Sequence, residues 1–97
     1  MEASTYRRVV TIVNPNGLHA RPADQMVRTA AQFKSKIEIC KGHERVDGRS
    51  IISLLTLAAE QGTELVIEAS GEDAQAACDA LAELIAHQFH EEHEAQG

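Results

Sequence analysis

Residues 14–23 read "NPNGLHARPA". Asn-Pro-Asn-Gly is turn chemistry. From Ala23 onward, apolar residues fall at Ala23, Met26, Val27, Ala30 and Phe33, close to the i, i+3, i+4, i+7 stripe of an amphipathic helix. Gly17 is a poor helix residue, and Pro22 is tolerated only in a first turn. The helix therefore starts between them, with His19 at or next to the N-cap. Serine, threonine, aspartate or asparagine would accept a backbone N–H there, and histidine does so poorly. The first-turn N–H groups of Ala20, Arg21 and Ala23 are then expected to serve another acceptor, Pro22 having none. An open helix start attracts anions by ~0.3–1 kcal/mol, or up to ~2 when partly buried. Arg21 adds a permanent charge and a fork suited to phosphate. A neutral imidazole beside such a cradle is a nucleophile able to take up a phosphoryl group. A loop histidine before an ordinary helix fits the same spacing, so spacing alone leaves both readings open.

Outward from this stretch the pattern alternates between strand and helix. "TYRRVVTIV" (5–13) is rich in β-branched residues and reads as a strand. "SKIEIC" (35–40) places Ile37 and Ile39 on one face, and "KG" leads into a short strand, "HERV" (43–46). "DGRS" breaks the pattern, and "SIISLLTLAAEQG" (50–62) reads as a helix closed by Gly62. "TELVIEA" (63–69) is a fourth strand, and "SGED" supplies turn and cap residues. A last helix runs from Asp73 towards Phe89, with Ala74, Ala77, Cys78, Leu81, Ala82, Leu84 and Ile85 as its apolar side. The order β-α-β-β-α-β-α predicts an α+β domain, an antiparallel or mixed sheet with all three helices on one face.

At 97 residues the chain is expected to form one domain, too small for a deep cleft, so a shallow surface site is expected. A net charge of -6 and only three aromatic residues argue against nonspecific nucleic-acid binding and against a base-stacking platform. No apolar run reaches membrane-spanning length. Cys40 and Cys78 lack metal-binding or redox spacing and read as reduced structural thiols of a cytoplasmic protein. His43 falls in the expected hairpin as a surface residue. His87, His90 and His93, among Glu91, Glu92 and Glu94, could form a metal site on paper, but a solvated tail is the expectation and no metal is assigned.

The second helix is apolar on two sides. Ile51, Leu54 and Ala58 form one stripe, with Leu57 beside it, and Ile52, Leu55 and Ala59 form another. One side can face the sheet, and the side of Ile52 and Leu55 is expected to be a partner patch. Asp47 or Ser50 could cap this helix.

"NGLHARPA" followed by an apolar helix resembles the active-site segment of HPr, the histidine-containing phosphocarrier family of the bacterial phosphoenolpyruvate-dependent phosphotransferase system. "VDGRSIISLLTLAAEQGTELVIEASGEDAQAACDALAELI" resembles the second half of that family, so the likeness spans about residues 5–86 and leaves 87–97 as a C-terminal extension. The resemblance implies an open-faced sandwich of four antiparallel strands and three helices. It implies that His19 carries the phosphoryl group on Nδ1, that Arg21 steadies it, and that the backbone of Ala20 and Arg21 cradles it. Enzyme I is the implied donor and EIIA-type domains the acceptors in sugar uptake. Ser50 matches the serine phosphorylated by HPr kinase/phosphorylase in organisms that have it. Arg28, Ile51, Ile52 and Leu55 match partner-docking positions. No cofactor is implied, and a monomeric carrier without turnover of its own is expected. The alternative is a regulatory or nitrogen-branch member of the family, binding kinases or transcription regulators according to its phosphorylation state.

Overall fold

The computed structural model describes residues 4–90. Seven elements follow in order: β1 (Thr5–Thr11), α1 (Ala20–Ala30), β2 (Lys36–Lys41), β3 (Glu44–Asp47), α2 (Ile51–Thr56), β4 (Glu64–Ser70) and α3 (Ala74–Ala86). The four strands form one antiparallel sheet in the order β1-β4-β2-β3. Period-two alternation decides its faces. Ile37 and Ile39 of β2, with Leu65, Ile67 and Ala69 of β4, are buried under the helices. The other face is open: Arg7 and Arg45 both pair with Glu68, and Arg45 reaches Glu38 at 2.6 Å. The expected open-faced sandwich is the observed architecture.

All three helices present their small and aliphatic residues to the sheet. α1 buries Pro22, Ala23, Met26 and Ala30. α3 buries Ala74, Ala77, Cys78, Leu81, Ala82 and Ile85. The Asp73 carboxylate does not cap its own helix; it accepts from the N–H of Lys34 at 2.8 Å, the N–H of Ser35 at 2.9 Å and the Ser35 hydroxyl. The start of α3 is thereby tied to the chain just beyond the end of α1. The two helices run antiparallel, so the end of α3 lies on the side where α1 begins.

Two helix ends differ from the sequence expectation. α2 stops at Thr56 instead of continuing to Gly62. Ala58 takes a left-handed conformation (φ 50°), and Leu57 and Ala59 both turn into the core. That turn brings the Ala59 carbonyl to the Leu18 N–H at 2.8 Å, which a continued helix would not. α3 stops at Ala86, and the chain kinks through Gln88 and Phe89, both with positive φ. Thirteen helical residues already span ~20 Å, close to the ~23 Å of a seven-residue strand. A straight continuation would carry Phe89 past the edge of the sheet, whereas the kink folds it back until it is fully buried. Packing therefore reaches beyond residue 86, and residues 91–97 of the expected extension lie outside the described residues.

Candidate functional site

The site is built from the loop between β1 and α1. Ile12 is held at both ends of its peptide, its N–H on the Thr63 carbonyl at 2.9 Å and its carbonyl on the Gly62 N–H at 2.7 Å. The buried Asn14 then organises the turn. Its carbonyl accepts the Gly17 N–H at 3.1 Å, and its side-chain amide donates to the Gly17 carbonyl at 2.8 Å. Gly17 has φ +68°, and a Cβ there would lie 2.5 Å from the Ala59 oxygen and 2.9 Å from the Glu60 Cα. Only glycine satisfies both constraints. Leu18 is buried and anchors the chain just before the helix.

His19 is the N-cap of α1, in extended conformation (φ −97°, ψ −171°), and its side chain makes no capping hydrogen bond. It is half-buried, with Ala20 and Arg21 exposed beside it. The Ala23 N–H bonds the His19 carbonyl at 3.0 Å and closes the first helical turn. That corrects the expectation of three first-turn donors: the Ala23 donor belongs to the helix, and Ala20 and Arg21 lie in the turn before the first intrahelical donor. No acidic residue occupies the first turn of α1. The arrangement combines an imidazole, two axial N–H groups and a guanidinium-bearing residue at the positive end of a helix, on an open surface.

α2 runs back along α1. Its start lies by the end of α1, and the loop that follows it meets Leu18. Ser50 is its N-cap, with Oγ accepting the Ser53 N–H at 3.2 Å. Asp47, the other capping candidate, accepts the Arg49 N–H at 2.9 Å instead. Of the expected docking residues, Ile52 is 76% exposed and Leu55 37% exposed. Ile51 differs: it is partly buried and packed against the core. Arg28 is exposed, two turns beyond the cradle, and pairs with Asp24 at 2.8 Å as the i, i+4 spacing predicts.

The remaining chemistry-bearing residues lie elsewhere. Cys40 is on the open face of the sheet and Cys78 is in the core; burial raises the pKa of both thiols, which disfavours the reactive thiolate. His43 is exposed in the β2–β3 turn, and His87 is the exposed C-cap of α3. Among the described residues no group of three His, Cys, Asp or Glu could hold a metal ion. His93, Glu91, Glu92 and Glu94 lie outside the described residues, as does the side chain of His90. No helix among the described residues is long and apolar enough to cross a membrane.

Fold and site together define a small carrier-type surface: a histidine at the start of α1, and an exposed apolar pair on the helix that packs against it. The family model "PTS HPr component phosphorylation site" matches residues 6–87. The phosphocarrier protein HPr of Neisseria meningitidis serogroup A is 41% identical over 85 residues, covering 88% of this chain and 96% of the relative. The HPr of Haemophilus influenzae is 45% identical over 80 residues, covering 82% and 94%. A crystal structure of HPr from Thermoanaerobacter tengcongensis superposes with a TM-score of 0.84 at 36% identity, over 88% of this chain and 96% of that one. The chain belongs to the HPr family, the phosphocarriers of the phosphotransferase system.

Sequence reasoning missed one residue that builds the site and one that completes the core. Asn14 reads as a turn former, and nothing in "NPNG" shows that it is fully buried. Phe89 is core, and its i+4 spacing from Ile85 is the one signal that could have marked it so.

Proposed function

We propose that this protein carries a phosphoryl group on Nδ1 of His19, receiving it from Enzyme I and passing it to EIIA-type domains. The observation that carries the reading is the N-cap itself: His19 begins α1 and spends no side-chain bond on capping it. In the transfer, the imidazole lone pair attacks phosphorus and an N–P bond forms as the bond to the donor breaks. The reverse exchange releases the group to the acceptor. Charge accumulates on the equatorial oxygens, and the Ala20 and Arg21 N–H groups with the Arg21 guanidinium stabilise it. Partners dock across the start of α1 and the exposed Ile52 and Leu55, with Arg28 offering charge to an acidic rim. A cytoplasmic location goes with this reading.

The test is incubation with Enzyme I, phosphoenolpyruvate and Mg²⁺. Acid-labile phosphohistidine forms on the wild-type protein, and none forms on His19→Ala. A His19→Ala protein that still relays phosphate to EIIA overturns the assignment.

Ser50 is the proposed regulatory site. A phosphate there stays compatible with the helix start but places a dianion beside the docking pair. Phosphoserine-50 protein accepts phosphate from Enzyme I more slowly than unmodified protein. An equal initial rate for the two forms rejects this role.

A further inference from the structure

We propose that Arg49 is a positioning residue for phosphotransfer. It clamps α2 against α1, so that His19 and the Ile52–Leu55 pair form one preset surface. The inference rests on the docking reading above.

α2 has six residues, Leu54 is its only fully buried one, and neither its first nor its last turn carries a charge that favours the helix dipole. A helix under about 12 residues is marginal by itself, so its orientation must come from ties to its neighbours. At its far end the Ala59 carbonyl accepts the Leu18 N–H at 2.8 Å, and the carbonyl of the C-cap residue Leu57 accepts from Lys41 Nζ at 2.8 Å. At its near end the tie to α1 is Arg49. Its Nη2 donates to the Ala30 carbonyl at 2.9 Å and to the Phe33 carbonyl, and its Nη1 donates to the Ser35 carbonyl at 3.1 Å. These carbonyls belong to the last residue of α1 and the loop that leaves it. A helix end has carbonyls the helix cannot satisfy, and a cation is favoured there.

The stem of the clamp is fixed as well. The Arg49 N–H donates to the Asp47 carboxylate at 2.9 Å, and the Gly48 N–H donates to the Ile37 carbonyl at 2.9 Å. A Cβ on Gly48 would lie 2.7 Å from the Ile37 side chain, so this backbone sits directly on β2. A planar guanidinium anchored there reaches three carbonyls in a fixed geometry. A lysine ammonium has the charge but not the fork. The phosphoryl cradle is at the opposite end of α1, so loss of the clamp loosens the docking pair and leaves the reacting groups in place. A partner must then pay to order α2 on binding.

Arg49→Met, Arg49→Lys and Ile52→Ser are compared as phosphate acceptors from Enzyme I, at a temperature where circular dichroism shows each folded. The expected result for Arg49→Met is a KM raised roughly tenfold with kcat unchanged. Arg49→Lys shows most of the same rise, because geometry is lost and charge is kept. Amide exchange accelerates in α2 and stays unchanged in α3. Should Arg49→Met not fold, Arg49→Lys carries the test alone. An unchanged KM for the Arg49 variants with a raised one for Ile52→Ser overturns the role of Arg49 and leaves the docking reading standing. An unchanged KM for Ile52→Ser overturns both.

Discussion

Gly17 shows how one residue sets the position of the reactive one. Its left-handed φ and its close approach to Ala59 turn the chain so that Leu18 is buried and His19 starts the helix. Gly17→Ala meets both a backbone penalty and an oxygen at 2.5 Å. It should destabilise the fold by about 2–4 kcal/mol. A urea-unfolding midpoint equal to that of the wild type would show that this loop yields. The motif "NGLHARPA" made His19, Arg21 and the turn legible, because turn residues and helix-start residues act locally. The burial of Asn14 and the reach of Arg49 were not legible, since both depend on chain segments brought close only by folding.

Among the elements, the seam between α1 and α3 depends on one carboxylate. Hydrogen bonding from the Ser35 hydroxyl, then from the Lys34 N–H, holds the Asp73 carboxyl below its ordinary value of 3.8. A depressed folded value means the ionised form is favoured by folding. Its contribution is complete above the unfolded value and is lost as pH falls through the folded one. Asp73→Asn should therefore lower the urea midpoint at pH 7, and the gap to wild type should narrow as pH drops below 3.8. A gap of constant size from pH 7 to acid would mean the carboxylate charge contributes nothing. The periodicities predicted every strand and helix, because alternation and the 3.6-residue stripe are local consequences of which side faces the core. They overran the ends of α2 and α3, because each end is set by what the following residues must reach.

At the scale of the domain, twenty buried apolar residues among the described ones form one core cluster between the sheet and its helices, and Phe89 is part of it. The core thus depends on a residue beyond the end of α3. Phe89→Ala should cost about 3–5 kcal/mol, as a fully buried aromatic does. Thermal unfolding within about 1 kcal/mol of wild type would contradict its place in the core. The same architecture brings the start of α1, the loop after α2 and the end of α3 to one end of the domain, so residues far apart in the chain define one surface.

The sequence by itself determined the element order, the sheet-facing residues and the histidine at the start of α1, because periodicity, turn chemistry and capping preference act over a few residues. Tertiary structure alone decided where α2 and α3 stop, that Asn14 is buried under the site loop, that Arg49 reaches the end of α1, and that Phe89 folds back into the core. Those outcomes depend on the distance between packed elements, a quantity no local pattern contains.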